Sequence, residues 1–171
     1  MVHFTFSWAE LTEEESLRLK TDFPSSMVND LVRYSNDILM PRAFTAIAEE
    51  IYNFQVREND VWVVTYPRSG TTWAQEMMWM IINDLDKNKS QAIPNQIRSP
   101  FIESLCLTNL EFLKATNRLP ENEELRKVIR DPLGYMETME GRRLIKSHLP
   151  MEFLPPKVAK SCMLEETQMT P

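Results

Sequence analysis

The fold is decided by a stretch of thirteen residues, VWVVTYPRSGTTW at positions 61–73, in which the hydrophobic period changes. Val61 to Tyr66 are β-branched or aromatic and apolar on both faces, which is typical of a central strand in a parallel sheet. After Gly70 the apolar residues recur at helical spacing, and they are Trp73, Met77, Met80 and Ile81. The stretch therefore predicts a buried strand, a tight loop, and a helix that runs to about Leu85, with Met77, Met78 and Met80 expected in its core.

The predicted loop has the composition of an anion site. The first amides of a helix have no partner within the helix, and the helix dipole places positive charge beside them. Gly70 allows a positive φ or a close backbone approach, and Arg68 adds a charged donor. Further hydroxyl donors are Ser69, Thr71 and Thr72. A phosphate-like group fits this loop. The alternative is a plain helix start, capped by Ser69 or Thr71, with Arg68 solvated.

This loop differs from two other nucleotide-binding motifs. The GxxxxGK[ST] loop places its lysine after the last glycine, whereas here the basic residue, Arg68, precedes Gly70. No carboxylate that could hold magnesium is evident on a second strand, which argues against a nucleotide kinase or triphosphatase. A dehydrogenase is excluded because the G-x-G-x-x-G fingerprint is absent.

A second candidate site is LIKSHLP, residues 144–150. Residues 142–148 alternate as a strand does, and a period of two places Lys146 and His148 on the same face. Histidine has an unperturbed pKa of about 6.5, which suits a general base. The alternative is an isolated histidine at a strand end, with its ring bonded to the backbone.

These two motifs resemble those of the cytosolic sulfotransferases. In that family TYPKSGTTW binds the 5'-phosphosulfate of 3'-phosphoadenosine 5'-phosphosulfate, and this chain has TYPRSGTTW at 65–73. KSHLP at 146–150 resembles the family's K[TS]HLP segment, and the two motifs follow in the family's order. The resemblance implies an α/β protein, the N-terminal part of the family's three-layer, P-loop-like, parallel-sheet fold.

The resemblance also implies roles for individual residues. The residues that bind the donor would be Arg68, Ser69, Gly70, Thr71, Thr72 and Trp73. Trp73 would lie beside the adenine. His148 would be the general base on the acceptor hydroxyl, and Lys146 would steady the charge of the sulfonate. Arg68 stands where the family has a lysine that stabilises the bridging oxygen, so the rate is expected to fall while donor binding survives.

The acceptor would be a small molecule with a hydroxyl group, and no metal is implied. Besides Lys146 and His148, the resemblance sets Pro67 and Phe101 against the acceptor, Phe101 through the segment RSPFIE at 98–103. The alternative for Phe101 is an ordinary core position. Phenols, steroids, retinoids and other alcohols all stay open as acceptors, as does the oligomeric state.

The chain of 171 residues divides into three parts on its sequence. Residues 1–40 are expected to be a loosely packed leader with a short surface helix, 41–158 a partial sulfotransferase domain, and 159–171 a polar tail unlike the family. The family's RNPKDxxVSYYH-like and RKGxxGDWK-like segments are absent, and two strands are evident where a doubly wound domain needs about four or five. We therefore expect an incomplete fold. It belongs either to a sulfotransferase or to a catalytically inactive truncated isoform that acts as a binding or interaction fragment.

Composition and charge limit the class of protein further. Hydrophobic residues make up 43% of the chain and charged residues 26%, as in globular proteins. The formal net charge of -6 argues against nucleic acid or an anionic membrane as partner. No targeting or membrane-spanning segment is evident, so a cytoplasmic protein is expected. The two cysteines have no CxxC spacing, so neither a disulfide framework nor a zinc site is expected.

Overall fold

The computed structural model describes residues 4–23, 30–106, 113 and 115–159. Its N-terminal part is an antiparallel sheet of β1 (Trp8–Glu10), β2 (Leu31–Tyr34) and β3 (Leu39–Pro41), which lie in chain order. Helix α1 (Glu13–Asp22) begins at a capping box and has no buried residue. It is the predicted surface helix.

The N-terminal sheet packs on the core, so the prediction of a loosely packed leader is wrong. Val32 and Tyr34 on β2 are 0% and 1% exposed. The ring of Tyr34 lies 5.0 Å from that of Phe153, far along the chain. Strands of three and four residues carry too few side chains for a period of two to be recognised. Of the polar tail predicted at 159–171, only Ala159 lies within the described residues.

A second sheet is formed by two parallel strands, β4 (Val61–Val64) and β5 (Leu144–Ser147). On the other edge of β5, the chain from Pro100 to Ile102 pairs with Lys146 through backbone hydrogen bonds of 2.9 and 3.1 Å. Both predicted strands are confirmed, although each is shorter than predicted. The loop of the first motif and His148 of the second therefore follow the carboxyl ends of two neighbouring parallel strands.

One apolar core joins the two sheets. A 3-10 turn at Arg42–Ala46 and helix α2 (Ala48–Tyr52) bury side chains against it. Its fully buried members include Val32, Phe44, Ile51, Ile145 and Phe153. Because Ile145 lies on β5, packing of the N-terminal sheet supports the strand that carries the second motif.

Helix α3 (Thr71–Ile82) follows the loop as predicted, but the expectation of a core position is wrong for Met77, while Met78 and Met80 are partly buried. The exposed side chains are Trp73, Met77 and Ile81, at 76%, 57% and 64%. The buried ones are Thr71, Gln75 and Trp79, on the opposite side of the helix. The polar side chain of Gln75 is satisfied in this buried place, since its Nε2 donates to the hydroxyl and carbonyl of Ser99, at 2.9 and 3.2 Å. Helical spacing identified the helix, but it did not identify which face meets the sheet.

Four further short helices are α4 (Lys87–Ala92), α5 (Asn95–Arg98), α6 (Glu123–Arg130) and α7 (Pro132–Thr138). Helices and a parallel strand pair make an α/β architecture, which confirms the predicted fold class. Over the ranges that the structure describes, no helix has both the length and the apolar character to cross a bilayer.

A buried ion pair lies at the amino ends of both parallel strands. Arg143 and Asp60 directly precede β5 and β4, and their side chains are 1% and 0% exposed. The guanidinium donates twice to the carboxylate of Asp60, at 2.7 and 2.5 Å. It also donates to the carbonyls of Gln55 and Met136, at 2.9 and 3.1 Å. The ion pair thus ties the starts of the two strands together.

Candidate functional site

The loop at 65–70 carries the first motif from β4 to α3. It is bent by two residues with positive φ, Arg68 at 66° and Gly70 at 94°. Pro67, Arg68 and Ser69 are all exposed. At Gly70 this backbone conformation favours glycine, since other residues rarely adopt it. The loop is open to solvent, so a ligand can reach it from outside.

The start of α3 is not capped by a hydroxyl group, so the alternative of a helix capped by Ser69 or Thr71 is wrong. Gly70 is the N-cap, and no side chain caps the helix there. The hydroxyl of Ser69 donates to the carbonyl of Tyr66 at 2.6 Å. The hydroxyl of Thr71 lies 2.5 Å from that of Thr65. The first amides of α3 therefore keep their capacity to donate to an anion.

His148 follows β5 and is tied to the start of the loop. Its Nδ1 lies 2.8 Å from the carbonyl oxygen of Thr65. A carbonyl only accepts, so Nδ1 must carry the proton, and Nε2 is the nitrogen with a free lone pair. The backbone therefore satisfies one ring nitrogen, and this bond prepares the other to accept a proton.

Lys146 and His148 lie on one face, and the ring of Phe101 touches both. The Nζ of Lys146 is 4.3 Å from the centroid of that ring. The imidazole of His148 meets it edge to face, with centroids 5.2 Å apart. Burial lowers the pKa of Lys146, and the nearby carboxylate of Glu103 opposes this. Phe101 is half-buried, so it is not an ordinary core residue.

A cavity of about 330 Å³ opens beside Lys146 and Phe101. Its other walls include Thr72 and Gln75 of α3 and Val128 of α6. The polar atoms Asn95 Oδ1 and Ser104 Oγ are buried without a hydrogen-bond partner in the part of the chain that the structure describes, and both residues line the cavity. The cavity is small and has both apolar and polar walls, which are features of ligand sites.

Glu103 belongs to this site, and sequence reasoning missed its role. It is 4% exposed. Its carboxylate accepts from the hydroxyl of Ser147 at 3.0 Å and from the amide of His148 at 2.5 Å. Burial raises the pKa of Glu103 to about 7, against the effect of these two hydrogen bonds. The sequence feature that could have indicated this role is an acidic residue directly after the apolar pair Phe101 and Ile102.

The raised pKa of Glu103 predicts a pH dependence of stability. The folded protein holds this proton to about pH 7, whereas the ordinary value is 4.5, so the folded state binds more protons in between. The free energy of unfolding should fall as pH rises through this window, by about 3 kcal/mol at most from this group. Urea unfolding at pH 5 and pH 8 tests this against Glu103→Gln. A difference between the two proteins that stays constant with pH would contradict the assignment.

The described residues contain no group of three or more histidine, cysteine, aspartate or glutamate side chains able to hold a metal. The described cysteine, Cys106, is a free thiol whose pKa is raised to about 12, chiefly by burial.

Comparison with known proteins gives one consistent family. The sulfotransferase domain family matches residues 58–163. The chain is 38% identical to luciferin sulfotransferase of Photinus pyralis over 64% of this chain and 28% of that protein. It is 34% identical to sulfotransferase 1A1 of Canis lupus familiaris over 72% of this chain and 35% of the relative. The chain thus spans about a third of the length of these curated relatives.

The fold is similar to that of a solved protein. Retinol dehydratase, crystallised with retinol and PAP, superimposes with a TM-score of 0.72 at 26% sequence identity. The match covers 92% of this chain and 49% of that one. A second structure of retinol dehydratase, with androsterone and inactive cofactor PAP, gives the same values.

Proposed function

This chain belongs to the sulfotransferase domain family, and from that premise we propose that it is a sulfotransferase that uses 3'-phosphoadenosine 5'-phosphosulfate as donor. The product is a sulfate ester of a small hydroxylated acceptor. The observation that carries the proposal is the hydrogen bond from His148 Nδ1 to the Thr65 carbonyl at 2.8 Å. It sets a base with a free Nε2 beside an anion-binding loop.

The donor is bound by the loop and the start of α3. The residues that we assign to it are Arg68, Ser69, Gly70, Thr71, Thr72 and Trp73. Support comes from the exposed loop and from the uncapped amides of α3. The indole of Trp73 is 76% exposed, which leaves a ring face available for the adenine. Arg68 supplies a permanent positive charge for the phosphosulfate.

His148 acts as the general base. Its Nε2 takes the proton of the acceptor hydroxyl as that oxygen bonds to the sulfur. In the same reaction the bond from sulfur to the phosphate oxygen breaks, and the electron pair leaves with the bisphosphate product. Lys146 and Arg68 stabilise the negative charge that develops on these oxygens. Because Lys146 is partly buried, its charge is less screened than at the surface.

We assign the acceptor to the cavity beside Lys146 and Phe101, and the family resemblance assigns Pro67 of the loop to the same acceptor. A volume of about 330 Å³ suits a small molecule. The known ligands of the relatives agree with this class, since retinol and androsterone are bound by the solved neighbours.

A transfer assay tests the proposed function. Purified chain, radiolabelled donor and a panel of phenols, steroids and aliphatic alcohols should yield a labelled ester with at least one acceptor. A chain that binds 3',5'-adenosine bisphosphate but transfers to no acceptor would instead favour a binding fragment without catalysis.

Binding of the bisphosphate product tests the donor site without turnover. At a ligand concentration of about 100 times Kd, the wild-type chain should gain about 2.7 kcal/mol in unfolding free energy, seen as a rise in Tm. Arg68→Ala should weaken this binding by about 1.5 to 3 kcal/mol, because a charged hydrogen bond is lost. Arg18→Ala is the matched control, since Arg18 is a solvent-exposed arginine on α1. Equal affinities for Arg68→Ala and the control would remove Arg68 from the site.

A further inference from the structure

We propose that Glu103 is a positioning residue that holds His148 in place for catalysis, an inference that rests on the proposed function. Its two carboxylate oxygens accept from two consecutive residues. Oε2 takes the hydroxyl of Ser147 at 3.0 Å, and Oε1 takes the amide of His148. The hydroxyl of Ser147 in turn accepts from the amide of Leu149 at 3.0 Å. One buried side chain therefore orders three residues at the end of β5.

The need for this support follows from where the strand ends. The last hydrogen bond to β4 is donated by the amide of Thr65 to the carbonyl of Ser147. His148 lies beyond this ladder, so its amide requires an acceptor from elsewhere. Glu103 supplies that acceptor from a segment 45 residues away in the chain. Without it, a donor in a partly buried place would have no partner.

The imidazole ring of His148 and its backbone amide are held by different groups. Thr65 accepts from Nδ1, and the ring of Phe101 packs edge to face against the imidazole. Phe101 and Glu103 lie on the same short segment, so one piece of chain supports both the ring and the amide of His148. Glu103 contacts the amide of His148 and not its ring, so its effect on the base is transmitted by geometry.

Three titratable residues, Lys146, Cys106 and His148, lie around the Glu103 carboxyl group. Lys146 lies on β5 and interacts favourably with it, while Cys106 lies after it in the chain and is destabilised as a thiolate by it. His148 approaches it through the amide.

The histidine content of the chain allows a direct test. The sequence has two histidines, His3 and His148, so a His3→Gln background leaves one imidazole signal. Nitrogen-15 NMR of that ring distinguishes the Nδ1–H tautomer from the Nε2–H tautomer. With Glu103 in place we expect the Nδ1–H form. In Glu103→Ala we expect a mixture of tautomers and a decrease in kcat of roughly 10- to 100-fold, because small misplacements of a base cost this much.

Matched variants separate positioning from folding and charge. Glu103→Gln can accept from the His148 amide through its carbonyl and donate to Ser147, so it should restore the Nδ1–H form and most of kcat. Glu152→Gln changes an exposed glutamate nearby and should behave as wild type. If Glu103→Ala does not fold, Glu103→Asp carries the same test, since its shorter side chain withdraws from the amide.

The NMR result also separates this inference from the proposed function. A folded Glu103→Ala or Glu103→Asp chain whose imidazole spectrum equals that of wild type overturns the positioning role, whatever the activity. A wild-type chain with the Nδ1–H form, and a variant that loses it, support the role even if no acceptor is sulfated. In that case the transfer assay alone contradicts the proposed function.

Discussion

His148→Ala is expected to lower kcat by about 10²- to 10⁴-fold and to leave the affinity for 3',5'-adenosine bisphosphate nearly unchanged. The decrease is the usual contribution of a positioned general base. Donor binding survives because the imidazole bonds to the carbonyl of Thr65 and not to the groups that we assign to the donor. Single-turnover transfer assays and calorimetric titration with the bisphosphate measure the two effects separately.

The control for this variant is His3→Ala, which removes the other histidine of the chain. It should transfer sulfate at the wild-type rate. Loss of bisphosphate binding in His148→Ala, with turnover retained, would show that His148 belongs to the donor site and is not the base.

Arg143→Ala is expected to have the largest effect on stability, about 3 to 5 kcal/mol. The substitution leaves the carboxylate of Asp60 fully buried without its partner, because both side chains are at most 1% exposed. It also removes the donors to the carbonyls of Met136 and Gln55 and the stacking of the guanidinium over Phe54, at 4.9 Å. Urea unfolding monitored by circular dichroism gives the change in the free energy of unfolding.

The adjacent Arg142 provides a matched control, since it is exposed. Arg142→Ala should change the unfolding free energy by less than about 0.5 kcal/mol. A double replacement, Arg143→Met with Asp60→Leu, should recover much of the loss, because no charge is then buried alone. An Arg143→Ala chain as stable as Arg142→Ala would mean that the ion pair does not support the strand pair.

The strand pair also connects stability to the site. The ion pair lies at the amino ends of β4 and β5, and the loop and His148 lie at their carboxyl ends. A shift of register by one residue would turn each side chain of β5 to the other face. Lys146 would then point away from Phe101. We therefore expect variants that weaken the ion pair to lower both stability and kcat.

Part of the fold was predictable because its signals are local. The strand at 61–64, the helix at 71–82 and the strand at 144–147 each follow from the pattern of a few consecutive residues. The N-terminal sheet was missed because its strands are short. Val32 and Tyr34 are identified as core residues only by their packing against residues that are distant in the chain. Met77 of α3 was placed wrongly in the core because apolar side chains occur on both faces of that helix.

By itself, the sequence determined the strand, the loop and the helix at 61–73 and the shared face of Lys146 and His148, because backbone periodicity acts between neighbours in the chain. Only the tertiary structure decided that Thr65 holds the imidazole and that Glu103 holds the His148 amide, across 83 and 45 residues of chain. It also decided that Trp73 is exposed to solvent. Such contacts depend on how whole elements pack. Ordering the chain costs conformational entropy, and the packed core as a whole offsets that cost, whereas no single motif does.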